Sequence, residues 1–89
     1  MDKEIYMAVV CDQYEDLENA KELIAKDIDY TIDLIALNNK HSRGTSEIKR
    51  DLEKKKLKQE IIVAMYNNFT EKLKYLGIDI VKLKKELEE

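Results

Sequence analysis

The sequence has no proline or tryptophan, only two glycines and a single cysteine in 89 residues. Because Cys11 is alone, the chain cannot form an intrachain disulfide, and it has no cysteine pair for a structural zinc ion. A chain of this length buries roughly 60–65% of its extended surface, so a lone core is marginally stable. We therefore expect its stability to come from close packing or from self-association.

Long hydrophobic runs are also missing. The apolar stretch from Ile5 to Cys11 is only about seven residues long and is flanked by acids, without a small-residue cleavage site. A membrane span needs about 20 apolar residues. We expect no secretory signal and no membrane partner, and the unpaired cysteine favours a reducing compartment, which we predict to be the cytoplasm.

What the sequence does contain is charge and helix-forming residues. Charged residues make up 39% of the chain, with a net charge of −3. Acids predominate in residues 1–33, whereas bases predominate in residues 40–58. Abundant Glu, Lys, Leu and Ile with few turn-forming residues indicate long helices joined by few corners.

The first predicted helix spans about residues 3–38. Apolar residues recur every three or four positions, and the opposite side of the helix is polar throughout, which is typical of an amphipathic helix. Asn38 and Asn39 then tolerate the left-handed backbone that ends helices. We call this predicted helix α1, and the residues along its apolar side the α1 contact row. Its members are Val10, Tyr14, Leu17, Lys21, Ile24, Ile28, Thr31 and Ile35.

A second helix is predicted over about residues 46–76, after a loop in which Thr45 or Ser46 can cap its start. Two asparagines, Asn67 and Asn68, leave open whether this helix is broken. Gly77 favours a stop, and Asp79 can cap a short third helix over about residues 79–88. We call the second predicted helix α2, and the residues along its mainly apolar side the α2 contact row. Its members are Ile48, Leu52, Lys55, Gln59, Ile62, Tyr66, Phe69, Leu73 and Leu76.

The short loop between the long helices predicts an all-α, antiparallel hairpin forming a single domain over residues 1–89. Residue i of the first helix then lies near residue 84 − i of the second, which brings Asp29 towards Lys55. The alternative is a small α/β fold, because three short apolar runs in the chain could be buried strands. It requires five tight corners in a chain without proline.

The hairpin leaves apolar surface uncovered, because residues 28–37 are apolar on more than one side. A patch of this size is unusual on a stable monomer, so we expect a homodimer, forming a four-helix bundle about a two-fold axis. The short third helix covers a further part. The predicted interface residues are Ile28, Thr31, Ile32, Ile35, Leu37, Ile62, Tyr66, Phe69 and Leu83.

These features favour a non-enzymatic protein that self-associates and acts on an unidentified protein partner as an adaptor, regulator or inhibitor. We identify no catalytic residues, metal ligands or cofactor: Cys11 has no Cys or His nearby in sequence, and no Gly-rich phosphate loop or HExxH motif is present. The alternative is a nucleic-acid-binding regulator that uses the basic stretch over residues 40–58. Its candidate phosphate contacts are Lys49, Arg50, Lys54, Lys56 and Lys58.

Overall fold

The computed structural model describes residues 2–88 and contains three helices in this part of the chain. They are α1 (Lys3–Lys40), α2 (Ser46–Tyr75) and α3 (Ile80–Glu88). The all-α prediction is confirmed, with helix ends within two residues of those expected. The α/β alternative finds no support, since none of residues 2–88 is in a strand and the three apolar runs lie inside α1 and α2.

The two contact rows hold α1 and α2 together. Every member of the α1 contact row is buried or half-buried, and so is every member of the α2 contact row except Leu76. The polar positions on the opposite side of α1, such as Asp12 and Asp33, are exposed. Burial of one apolar stripe along about 50 Å of helix is the main stabilising contribution to this pair.

The register of the hairpin matches the prediction that residue i lies near residue 84 − i. The Tyr14–Tyr66 and Asp27–Lys55 contacts fall four and two residues to one side of this register, and the Thr31–Lys55 and Lys21–Tyr66 contacts two and three residues to the other, so their mean is close to 84. The expected neighbour of Lys55 was Asp29, which instead lies on the exposed side of α1. The error is two residues along a helix, which rotates a side chain by about 200°.

Both long helices end in the same hydrogen-bonding motif. At the end of α1 the Arg43 amide donates to the Asn38 carbonyl, and at the end of α2 the Ile78 amide donates to the Leu73 carbonyl. The motif needs one residue with left-handed backbone, which Gly77 supplies at φ 72°. After α1 the same position is taken by Ser42 at φ 55°. This left-handed conformation is energetically unfavourable for any residue that has a Cβ atom.

α2 is unbroken through its two asparagines. The Thr70 hydroxyl donates to the Asn67 carbonyl at 3.0 Å, as threonines commonly do within helices. The third helix begins as predicted, because an Asp79 carboxylate oxygen accepts from the amides of Val81 and Lys82. α3 packs against the first part of α1, where the Lys84 ammonium lies 3.4 Å from a Glu15 carboxylate oxygen.

The hairpin is long and thin. It measures 59 × 24 × 18 Å, with a radius of gyration of 18.4 Å. A compact domain of this length has a radius of gyration of about 12 Å. Much of each helix surface therefore faces outward rather than into a shared core.

Within residues 2–88, no helix has a stretch long and apolar enough to cross a membrane.

Candidate functional site: the open face of the hairpin

A polar cluster lies inside the contact between α1 and α2. The Lys55 ammonium is 3.0 Å from an Asp27 carboxylate oxygen, 3.1 Å from Asp51 and 2.8 Å from the Thr31 hydroxyl. Thr31, which is only 2% exposed, also donates to the Asp27 backbone carbonyl. Hydrogen bonds with Asp27 and then Asp51 raise the pKa of Lys55, so this lysine stays charged. The cluster uses its charges within the chain and fixes the register of the two helices.

A tyrosine pair joins the same helices nearer their other end. The hydroxyl oxygens of Tyr14 and Tyr66 are 3.1 Å apart and their rings are 5.7 Å apart, tilted by 43°. The Lys21 ammonium lies 3.8 Å from the centre of the Tyr66 ring, a cation–π contact. The hydrogen bond with Tyr66 is the largest of several influences that raise the pKa of Tyr14 above its ordinary value. Tyr14 is therefore neutral near pH 7, and the pair serves as a structural contact.

Cys11 lies beneath α3. Its thiol is buried, and that burial raises its pKa. Lys84 of α3 lies over the Tyr14 ring and against Glu15, while Leu83 borders the same groove as Met7. A buried thiol with a raised pKa is a poor nucleophile, so this cysteine behaves as an apolar side chain.

The structure places most of the predicted interface residues inside the chain. Ile28 and Thr31 are buried between α1 and α2. Only Ile32 and Leu37 are exposed, at 45% and 51%. The half-buried members of the set are Ile35, Ile62, Tyr66, Phe69 and Leu83. Whether these residues contact a second chain stays a prediction. Apart from Leu37, the residues of the largest exposed apolar surface are not among them.

That free surface begins with a second row of side chains along α1. Its members are seven residues apart, so they lie on one line along the helix, away from the α1 contact row. Four of the five are apolar and exposed, with Leu23 at 67% and Tyr30 at 65%. We call this the outer row: Val9, Asp16, Leu23, Tyr30 and Leu37.

α2 contributes to the same side of the molecule. A shallow groove of ≈ 220 Å³ between the helices is lined by Leu23 and Asp27 of α1 and by Lys58 of α2, among others. Ile61 and Met65 follow Lys58 by three and seven positions, so they share its side of α2. Both are more than half exposed. We call this side, with the outer row, Ala20, Asp27, Lys58, Ile61 and Met65, the open face.

α3 does not cover the open face. Its contacts with α1 are made by residues such as Glu15 and Tyr14, which point away from the outer row. The apolar side chains of the open face therefore remain in contact with water in a single chain. At about 25 cal/mol per Å² of apolar area, covering them is strongly favourable.

The five candidate nucleic-acid contacts do not form one basic surface. All five are exposed. Lys49 and Lys56 are seven residues apart on one side of α2, whereas Lys54 and Lys58 lie on the side of the open face. Arg50 points away from α1 between them. Phosphate binding of a duplex or strand favours charges that share one surface, which this arrangement does not provide.

Other titratable residues are scattered. His41 caps the end of α1 and is exposed, and it has no orienting carboxylate among its contacts. Among the residues that the structure describes, no group of three or more His, Cys, Asp or Glu side chains is placed to hold a metal ion.

Comparison of the chain with protein-family models, curated proteins and solved structures gave no match. A function for this chain is therefore argued from its geometry alone.

Sequence reasoning missed most of the open face because it followed only the residues that join α1 to α2. Leu23 and Tyr30 fall outside the α1 contact row, and Ile61 and Met65 fall outside the α2 contact row. The seven-residue spacing of the outer row was present in the sequence and could have revealed a second interacting surface.

Proposed function

We propose that this protein is a non-enzymatic helical protein that works by protein–protein interaction, associating with itself through an exposed helix face. Its site of action in this proposal is the cytoplasm, where a lone thiol such as Cys11 stays reduced. The self-associated bundle then presents its remaining helix surfaces to a protein partner, which we do not identify.

The observation that carries the proposal is the size of the exposed surface. The chain has 7156 Å² of accessible surface, whereas a typical folded monomer of its mass has roughly 5,400 Å². The excess is about 1,700 Å² per chain. Twice this excess lies within the 2,000–5,000 Å² that obligate homodimers bury.

Small-angle X-ray scattering over a concentration series tests this proposal. If two hairpins pack side by side, the forward scattering per unit mass doubles, while the radius of gyration rises by only about 1 Å above that of one chain, because the helix axes are 8–10 Å apart. Association end to end would instead lengthen the particle greatly. Scattering that stays at the mass of a single chain at every concentration would contradict the proposal.

The nucleic-acid alternative has a separate test. A binder that neutralises several phosphates loses affinity steeply with salt, with a slope close to −0.9 for each phosphate neutralised on a duplex. We expect no such salt-dependent binding of short DNA or RNA, since Lys55 is occupied by Asp27 and Asp51 and the other bases are divided between two sides of α2.

A further inference from the structure

We infer that the open face is the docking surface for a second copy of this chain, with α1 of each copy lying antiparallel on α2 of the other about a two-fold axis parallel to the helices. The inference rests on the proposed function and specifies its interface. The open face gathers six exposed large apolar side chains, whereas elsewhere on the long helices those that remain exposed, such as Ile32, Leu57 and Tyr75, are fewer.

The geometry of the hairpin fixes the register of this dimer without any adjustment. A two-fold axis parallel to the helices leaves every residue at its own height along the bundle. Within the chain, residue i of α1 is level with residue about 84 − i of α2. The Tyr14–Tyr66 and Asp27–Lys55 contacts fall two to four residues to one side of this register, and the Thr31–Lys55 and Lys21–Tyr66 contacts two to three residues to the other. Residue i must therefore face residue 84 − i or 85 − i of the partner.

This register joins apolar side chains at the centre of the open face. Leu23 meets the partner's Ile61, and Ala20 meets the partner's Met65. By symmetry each contact occurs twice. In a single chain Leu23, Ile61 and Met65 are each more than half exposed, so the dimer covers strongly exposed apolar side chains at the centre of the open face.

The same register also matches charge. Asp27 meets the partner's Lys58, which makes no ion pair among the described residues of its own chain. Tyr30 meets the partner's Lys54, whose ammonium can lie over the ring. No facing pair along the open face joins two like charges. Towards the loop, Leu37 meets the partner's Glu47, so that end forms the polar rim.

The alternative two-fold axis, perpendicular to the helices at the height of Leu23, gives a poorer match. It places Leu23 on its own symmetry mate and Asp27 level with the partner's Asn19, but it sets Lys58 against the partner's Met65. Covering a charge with an apolar side chain removes its water without supplying a partner, which is costly. Charge complementarity therefore favours the parallel axis.

Disulfide trapping tests the arrangement. Two single-cysteine proteins are made in a Cys11→Ala background, one carrying Leu23→Cys and labelled with ¹⁵N, the other carrying Ile61→Cys and unlabelled. They are mixed under reducing conditions until subunits exchange, then oxidised in air with copper–phenanthroline. Mass spectrometry identifies the linked pairs, and circular dichroism confirms that each variant remains helical.

We expect labelled–unlabelled disulfide dimers to exceed each like pair at least tenfold, against twofold for random pairing, and either variant alone to remain unlinked. Glu22→Cys serves as the matched control, because Glu22 is exposed and is rotated by about 100° from Leu23, away from Ala20 and Asp27 of the open face, so it should not link to Ile61→Cys. Self-linking of Leu23→Cys alone would overturn the parallel axis in favour of the perpendicular one.

Two further outcomes separate this inference from the proposal on which it rests. A mass of two chains in light scattering of the reduced mixture, without the mixed disulfide after oxidation, would overturn the docking face while self-association stands. A mass of one chain would overturn both.

Discussion

The polar side chains between α1 and α2 are fully partnered. Among the described residues, no buried side-chain nitrogen or oxygen lacks a hydrogen bond. Lys55 reaches three acceptors, and Thr31 both donates and accepts. Half-buried polar contacts of this kind add little net stability, but any helix register that breaks them is disfavoured.

We predict that Lys55→Ala lowers the urea midpoint of unfolding, whereas Lys56→Ala, one position along the same helix, leaves it unchanged. Lys55 holds Asp27 and Thr31 on α1, while Lys56 is exposed and makes no ion pair in the part of the chain that the structure describes. Equal midpoints for the two variants would mean that the polar cluster does not contribute to stability.

The Tyr14–Tyr66 pair makes stability depend on pH in the alkaline range. The folded chain raises the pKa of Tyr14 above the value of about 10 of an unfolded tyrosine. The folded state thus holds this proton more tightly, so the stabilisation is complete below about pH 10 and is lost as the pH rises beyond it. In Tyr66→Phe the hydrogen bond is gone and the fall should be shallower.

Urea unfolding at pH 8 and at about pH 11 measures this difference. The control is Tyr75→Phe, because Tyr75 is 90% exposed and its variant should keep the wild-type pH dependence. At pH 8 we expect Tyr66→Phe to cost about 1 kcal/mol, typical of one lost hydrogen bond. If Tyr66→Phe lost as much unfolding free energy between the two pH values as wild type does, the result would contradict this account.

At the scale of whole elements, the two helix ends invite opposite substitutions. The same left-handed position is held by Ser42 after α1 and by Gly77 after α2. Ser42→Gly should stabilise the fold by about 0.5 kcal/mol, since relief of the left-handed strain exceeds the entropy that glycine loses. Gly77→Ala should destabilise it by about 1 kcal/mol for the converse reason.

Thermal unfolding of these two variants, with Gly44→Ala as the control, checks the prediction. Gly44 has open space where a Cβ atom would lie and no left-handed backbone, so its replacement should be neutral or slightly stabilising. If all three variants shifted the melting temperature in the same direction, backbone strain would not be the cause.

α3 acts as a cover for the first turns of α1, which makes Cys11 a reporter of its docking. Leu83 packs half-buried on α1, whereas Val81 of the same helix is 61% exposed. Leu83→Ala should weaken docking by about 1.4 kcal/mol and so raise the rate at which a thiol reagent labels Cys11 about tenfold. Val81→Ala should leave that rate unchanged; a tenfold rise there too would point to general unfolding.

Most of the fold follows from periodic patterns that a helix must obey. The α1 and α2 contact rows gave the helices, their register and the short loop, because a continuous apolar stripe can only be buried against another. The ion-pair partner of Lys55 could not be predicted in this way, because a shift of two residues in the register exchanges Asp27 for Asp29. The open face did not follow either, because a second apolar row such as that of Leu23 and Tyr30 is recognised only after the first row has been assigned to the hairpin.

Considered as a whole molecule, one chain is a thin rod with two apolar sides. In one chain the α1 and α2 contact rows bury each other, whereas the apolar side chains of the open face stay exposed to water. Leu23 lies near the middle of the open face, so a carboxylate there would be buried without a partner in the proposed dimer. Lys58→Glu should weaken the dimer less, raising its dissociation constant severalfold, because the like charge that it sets near Asp27 is partly screened by water.

Sedimentation equilibrium on the wild-type chain, with Leu23→Asp and the control Ala36→Asp, tests the central claim most directly. Ala36 is exposed and is rotated by about 140° around α1 from Leu23, so it lies outside the open face. The account predicts a mass of two chains, about 21 kDa, for wild type and Ala36→Asp, and 10.5 kDa for Leu23→Asp at concentrations where the others are dimers. A folded wild-type chain that sediments at 10.5 kDa up to about 1 mM would contradict it.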